Sequence, residues 1–463
     1  MIASARRLVE VGTALRSARR LGANDRLDRG SYRRMRRARL LSIIRHAARE
    51  SPFYRERLAG LALDDSLDIA AVPTLDKATL LESFDRIVCD PALTLARLEA
   101  HLGELERREG EDVLLDGEYR VMASGGTSGR RGIFVYGRAD WSLVLGGLLR
   151  WTGDYLGLPP RLPRRRLAAV VADSPLHMTA RMGRGVDVGA HRMLRLDARA
   201  PLGTVVAALN DFRPEALTAY ASIAALLADE QIAGRLRIEP ATVATTSEVC
   251  GAEMRERIEA AWGRVPFNGY AATETGMLAT DCDRHRGLHV LEDLVHVEVV
   301  DEAGRAVAAG SPGAKLLVTN LVNRTQPLIR FELDDLVTIS PARCPCGRPS
   351  VLLAAVDGRS DDILTLPGRS GGTVPIHPLT LRGPLAAVSG LRQYRLVHEP
   401  GGVTIEVVAA AAAADVAETA RRAVIDALRS SGAAVPPVAA VAVDAIERHP
   451  GSGKAKVVLS RDA

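Results

Sequence analysis

Ser124, Gly125, Gly126, Thr127, Ser128, Gly129, Arg130 and Arg131 run without interruption through the stretch ASGGTSGRRGIFVY, and together they hold what a polyphosphate needs. Glycines let backbone N–H groups turn inward, hydroxyls bind non-bridging oxygens, and guanidinium groups offset the anion. The apolar runs on either side, residues 119–123 and 133–136, predict two strands joined by this loop, not a strand opening into a helix. The loop lacks the glycine–lysine–hydroxyl ending of a Walker turn. A solvated hairpin can have the same composition, so the loop needs company elsewhere in the chain to be a nucleotide site.

A second constellation suits a metal. Cys282 and His285 form a CxxH pair within DCDRHRGLH, and Cys344 and Cys346 form CPCG further on. Three thiolates and one imidazole would make a closed tetrahedral zinc site, structural because no position is left for catalysis. His289 is the alternative nitrogen ligand to His285. The CxC spacing is tighter than usual, and free cysteines also serve as small buried hydrophobes. Cys89 and Cys250 have no such partners and read as buried structural residues. An odd total of five cysteines argues against a disulfide framework.

The elements that must position these groups are those of an ordinary soluble chain. It has 463 residues, 47% hydrophobic and 25% charged, enough for two or three domains. Lysine plus arginine exceed aspartate plus glutamate by 61 to 56, which favours anionic ligands without arguing for nucleic acid. No apolar run is long enough for a bilayer, and Arg6, Arg7 and Glu10 interrupt any signal-peptide core. The expectation is a cytoplasmic protein with no stable membrane insertion and no nucleic-acid partner. A basic helix from Ser31 to Glu50 alternates charge with Leu40, Leu41, Ile43 and Ile44 and runs into SPFYRERL, the pattern of a docked element.

Beyond the loop, the runs at 166–175, 216–222, 237–248 and 265–274 are short, apolar and end in small or polar residues, with helical patterns between them. Such alternation predicts a largely parallel sheet whose ligands collect at the carboxyl ends of its strands. That rim holds Ser247, Glu248, Tyr270, Thr273 and Glu274. The runs at 296–301, 315–321, 337–340 and 351–356 predict a small antiparallel or barrel-like subdomain. After Gly358 the texture changes to strand, strand, helix, strand and a final GSGK turn, the pattern of a separate α+β domain. The predicted class is therefore α/β: a large N-terminal domain over 1–358 with mixed sheets flanked by helices, and a small mobile α+β domain over 359–463.

In chain order the sequence carries SGGTSGRRG, TTSE, NGYAATE, LIRFELDDL, GRSDD and GSGK, and it resembles the ANL superfamily of adenylate-forming enzymes. SPFYRERL, VPTLDKATLLESFD and GLHVLED narrow the resemblance to phenylacetate–CoA ligase and its relatives, over residues 30–463. The resemblance implies attack of a carboxylate on the α-phosphorus of ATP, giving an acyl adenylate and pyrophosphate. A thiol, typically that of coenzyme A, then displaces AMP. An amine or a carrier-protein thiol is the alternative acceptor, and a non-catalytic homologue is a further one. A homodimer is compatible with all three.

The same resemblance assigns roles. Ser124 to Arg131 would hold the β- and γ-phosphates, Thr273 the α-phosphate, and Glu274 a magnesium ion. Without those motifs, Thr273 and Glu274 would read as caps of a helix beginning near Gly276. Asp335, or its neighbour Asp334, would accept the ribose hydroxyls with Arg359 as second contact. Ser247 and Glu248 would lie along adenine and Tyr270 would stack on it, within a wall formed with Asn268, Gly269 and Ala271. Asp361 would be the pivot of a rotating C-terminal domain that brings Lys454, or Lys456, to the α-phosphate. The sequence departs from the commoner pattern in lacking a lysine at the loop's end and in reading YAATE for YGxTE. Arginines supply the missing cation with a different geometry. Met178, Tyr220, Ser222, Thr246 and Ala272 are the candidate positions for the acid, whose identity spacing does not reveal.

Overall fold

The computed structural model describes residues 5–108, 113–124, 131–156, 162–410, 412–449 and 452–461. Gly125, Gly126, Thr127, Ser128, Gly129 and Arg130 lie outside the described residues, and so does part of the GSGK turn. The loop's stem is a hairpin of β1 (Arg120–Ala123) and β2 (Ile133–Tyr136), antiparallel with Ala123 opposite Ile133. Both strands are buried throughout.

The main sheet begins with five parallel strands: β3 (Arg166–Val171), β4 (Arg192–Asp197), β5 (Ala216–Tyr220), β6 (Thr242–Thr246) and β7 (Phe267–Ala272). Helices Leu202–Phe212 and Ala221–Ile232 bury Val205, Leu209, Ile223 and Leu227 against Val170, Leu217 and Val243. Burying each such side chain is worth about 1.5–3 kcal/mol, and these contacts fix the plane of the strands. The chain then reverses into β8 (Gly276–Thr280) and β9 (Leu288–Val290), both antiparallel to their neighbours. No helix starts at Gly276: its φ of +75° closes a tight turn and the next residues pair with β7.

Strands β10 (Val295–Val300), β11 (Lys315–Asn320) and β12 (Phe331–Leu333) make a small antiparallel sheet. The expected subdomain is smaller than its sequence pattern implied, because β13 (Asp335–Ile339) and β14 (Leu352–Arg359) return to the large sheet. Its order is β13-β14-β9-β8-β7-β6-β5-β3-β4. The sheet is therefore mixed, parallel on one side of β7 and antiparallel on the other.

The N-terminal segment is docked, as its pattern suggested. The helix Arg29–Glu50 is capped by Asp28, whose carboxylate accepts from Ser31 N, and it buries Leu40, Leu41, Ile43, Ile44 and Ala47. Ser51 ends it and caps the next helix, Pro52–Arg57, where Pro52 occupies the first turn.

After Arg359 a second core takes over. The hairpin β15 (Leu364–Pro367) and β16 (Thr373–Ile376) precedes a four-stranded sheet of β17 (Leu391–Glu399), β18 (Gly402–Ala409), β19 (Val438–Ala442) and β20 (Val458–Ser460), in the order β19-β18-β17-β20. The helix Ala413–Ser430 lays Val416, Ala420, Val424 and Leu428 over Ile405 and Val407. β18 ends at Ala409 and this helix starts at Ala413, while residue 411 of the alanine run lies outside the described residues.

Candidate active site

The carboxyl ends of the parallel strands and the turn after β7 open onto one cleft of about 1570 Å³. Its walls include Ser124, Ser247, Tyr270, Thr273, Glu274, Asp335, Arg359 and Lys454. Residues far apart in sequence, and from both units of the chain, converge there.

The turn carrying Thr273 and Glu274 lies where the sheet changes from parallel to antiparallel, and two buried side chains hold it. The Tyr136 hydroxyl donates to Thr273 O at 2.9 Å, and Asn320 Nδ2 donates to Glu274 O at 2.9 Å. Asn320 Oδ1 also accepts the N–H groups of Val322 and Asn323 at 3.0 Å each. Asn323 Nδ2 and Gln326 Oε1 in turn bond the backbone of Val135, in the strand that follows the glycine-rich loop. All three amides are fully buried. The segment 320–326 therefore sets the turn and the loop's stem in one frame. Sequence reasoning missed it, since a polar run normally reads as a surface loop.

Asp335 and Arg359 sit directly opposite each other on β13 and β14, with Arg359 Nε 3.7 Å from Asp335 Oδ1. Asp334 also lines the cleft but lies between β12 and β13, whereas Asp335 stands opposite Arg359 in the pairing. Tyr270 lies beside them, its phenol raised well above its ordinary value first by burial and then by the Asp335 carboxylate. Burial also raises the Glu274 carboxyl, while Arg359 and Lys454 oppose that rise. The Lys454 ammonium is lowered by burial and by Arg359, and Glu248, Asp335 and Glu274 draw it back up. Two acids and two bases thus face one another in a partly desolvated space, where each charge acts more strongly than in water.

Lys454 is delivered by a hairpin in the second unit. His449 N donates to Lys454 O at 3.0 Å, and Gly453 N donates to His449 O at 2.8 Å. Gly453 has a φ of +65°, and a Cβ there would lie 3.3 Å from Arg199 Cγ and 3.6 Å from Ala198 Cβ. Lys456 also lines the cleft, where its ammonium lies 3.9 Å from Asp362.

Some predicted site residues do other work. Glu248 does not lie open along a base: Oε2 accepts Ser222 N at 2.9 Å and Oε1 accepts Ala455 N at 2.9 Å. Tyr220 and Ser222 are likewise taken up by the second unit, Tyr220 donating to Ser452 O at 3.2 Å and Ser222 Oγ accepting from Arg448. Ser247 holds a left-handed φ of +67° in the cleft wall, with its hydroxyl 3.4 Å from Thr179 Oγ1. Gly269 lets Trp151 approach, since a Cβ there would sit 2.8 Å from the indole ring. Asn268, Ala271, Ala272 and Met178 line the cleft, and Thr246 is buried behind Ser247. Arg131 is turned to the surface, paired with Glu106 at 2.9 Å.

No family model matches the chain. Its sequence is 24% identical over 387 residues to a phenylacetate-coenzyme A ligase of Thermus thermophilus, covering 79% of this chain and 77% of that protein. A solved 2-hydroxyisobutyryl-CoA ligase in its postadenylation state matches with a TM-score of 0.72 and 23% identity, over 94% of this chain and 91% of that one. The chain shares the fold of that ligase. The same ligase in its thioesterification state matches with a TM-score of only 0.59, over 95% of this chain. In this chain Lys454 lines the cleft together with Glu274, Asp335 and Arg359.

The cysteine cluster is built from the segment after β8, from β9 and from the segment before β14. The ligand atoms of Cys282, His289, Cys344 and Cys346 all lie within 4.8 Å of one another. His289, not His285, completes the set: the His289 Nδ1 is 3.1 Å from Ser350 Oγ, which leaves Nε2 facing Cys346 Sγ at 3.3 Å. His285 is instead engaged through Nδ1 with Asp281 at 2.7 Å. Burial lowers His289 to about 4, so its imidazole is neutral, the form that ligates. Cys89 and Cys250 are half-buried, less enclosed than expected. Among the described residues, no helix is long and apolar enough to cross a membrane.

Proposed function

We propose that this chain activates a small carboxylic acid with ATP to an acyl adenylate and transfers the acyl group to coenzyme A. The observation that carries this reading is the meeting of Glu274, the Asp335–Arg359 pair and Lys454 in one cleft beside the stem of the glycine loop. The ligase relatives support both the adenylation and the thioester step.

In-line attack of a carboxylate on the α-phosphorus builds charge on the equatorial oxygens and on departing pyrophosphate, so the protein acts by positioning and electrostatics. Lys454 would stabilise the α-phosphate oxygens and Thr273 would hydrogen-bond them. Asp335 would accept the ribose hydroxyls, oriented by Arg359, and Tyr270 would lie against the base. Residues 124–131 would bind the pyrophosphate end. Glu274 would hold magnesium, a hard cation suited to carboxylate and phosphate oxygens that neutralises phosphate charge when bound. Glu248 has a different part, taken up below.

Cys282, His289, Cys344 and Cys346 would hold a structural zinc ion, a donor set and closed geometry suited to that metal. It would tie β8 and β9 to the segment before β14. The domain division at residues 358 and 359 belongs to the same reading, with the 3₁₀ turn Ser360–Asp362 as the hinge.

The test is AMP and pyrophosphate release from Mg·ATP across a panel of carboxylic acids, with and without coenzyme A. Release with at least one acid and a thioester product on adding coenzyme A are expected. Failure of every acid, together with no binding of ATP, would end the ligase reading.

A further inference from the structure

The backbone on both sides of Lys454 is fixed by groups that belong to a seam between the two units. On one side, Gly453 O accepts Arg448 Nη1 at 3.1 Å. On the other, Ala455 N donates to Glu248 Oε1 at 2.9 Å. Arg448 then crosses to the first unit, where Nη2 donates to Ser222 Oγ at 3.1 Å and Nη1 lies 3.8 Å from Glu248 Oε1. Both charged side chains are largely enclosed, at 13% and 9% exposure.

Glu248 is also held from within the first unit. Its other oxygen accepts Ser222 N in the first turn of the helix Ala221–Ile232, a position that favours a carboxylate. Tyr220, at the end of β5, accepts Ala172 N at 3.0 Å and offers its hydroxyl to Ser452 O. The Lys454 hairpin therefore docks on the ends of neighbouring parallel strands through hydrogen bonds and one ion pair. Groups of this kind are satisfied by water when parted, so the seam can close and release, whereas an apolar seam of equal size would hold.

We infer that Arg448 is a positioning residue: with Glu248 and Ser222 it latches the second unit in the arrangement that places Lys454 in the cleft, and so serves the adenylation step alone. This rests on the ligase reading for its chemistry and on the seam itself for its mechanics. The latch explains why a glutamate on the cleft rim is spent on a backbone amide 207 residues away.

The test is Arg448→Met, which keeps the aliphatic stem and removes the guanidinium. Single-turnover pyrophosphate release should fall by about tenfold or more, the effect of losing a charge-assisted hydrogen bond. Thioester formation from a supplied acyl adenylate and coenzyme A should be unchanged or faster. Arg448→Lys should recover part of the adenylation rate. Equal loss in both half-reactions would make Arg448 a general structural residue, and no loss in either would remove the latch; both overturn the inference. Hydrogen exchange of the full chain without substrates gives a separate readout. Segments containing Ser222 and Ala455 should exchange faster in Arg448→Met while the helix Ala413–Ser430 is unaffected. Unchanged exchange would overturn the latch even in an active enzyme, whereas faster exchange in a protein that adenylates no acid would leave the latch standing and the ligase reading fallen.

Discussion

Replacing Tyr136 by phenylalanine removes one oxygen atom and leaves a buried ring in place, which isolates the bond that holds the Thr273–Glu274 turn. That hydroxyl donates to Thr273 O at 2.9 Å, and Tyr136 is fully enclosed, so no water can take its place. Losing the bond and leaving a buried carbonyl unpaired costs about 2 kcal/mol. In a unit of this size the melting temperature should drop by about 3 °C. The effect on rate should be larger than that modest loss suggests, because the same turn carries both residues assigned to the α-phosphate and the metal. A shift of a fraction of an ångström there should lower pyrophosphate release by about ten- to hundredfold. Initial rates under saturating ATP and a thermal melt on the same preparation make the measurement. A drop in melting temperature with an unchanged rate would refute the reasoning, since the turn would then hold its geometry without Tyr136.

The opposed shifts at the centre of the cleft predict a narrowed pH profile for adenylation. Glu274 is raised above its ordinary 4.5, so its charge is lost as pH falls through that raised value, earlier than for a free carboxylate. Lys454 is lowered below 10.5, so its charge is lost as pH rises through the lowered value. The acid limb should move down in Glu274→Asp only if this carboxylate governs it, and the basic limb should move up in Lys454→Arg; limbs that stay put in both variants would assign the profile to other groups. For the cysteine cluster, metal analysis of purified protein should find about one zinc per chain, and Cys344→Ser should lose it with a lower melting temperature. Protein without metal, with thiols freely titratable, would contradict the clamp.

The chain's local patterns made much of this legible. The loop's two flanking strands, the docked basic helix and the strand, strand, helix, strand order from residue 391 onward follow from periodicity and turn residues, whereas the hairpin of β15 and β16 and the helix Pro378–Ala386 were not read. What could not be read was pairing. Residues 337–340 and 351–356 look like neighbours of β10 and β11, but a strand's own pattern does not say which sheet it joins. Spacing put His285 first for the metal, with His289 as the alternative; the fold reverses that order, since His285 is engaged by Asp281 and His289 groups with the three cysteines. Taken without the other motifs, Thr273 and Glu274 read as helix caps, and the segment after them is a strand because its partner across the turn is β7. Glu248 looked like a base contact because the arginine and amide that occupy it come from the other end of the chain. The buried amides of 320–326 were invisible for the same reason: their partners lie on β2.

The central claim is that one cleft couples a carboxylic acid to the α-phosphate of ATP through Lys454. Exchange of labelled pyrophosphate into ATP tests it most directly, because exchange requires reversible adenylate formation and no acceptor. The account predicts exchange that depends on an added carboxylic acid and falls by at least about a hundredfold in Lys454→Ala. That variant should still form thioester from a supplied adenylate. Exchange that proceeds at the full rate in Lys454→Ala, or that no acid supports in the unaltered protein, would contradict it.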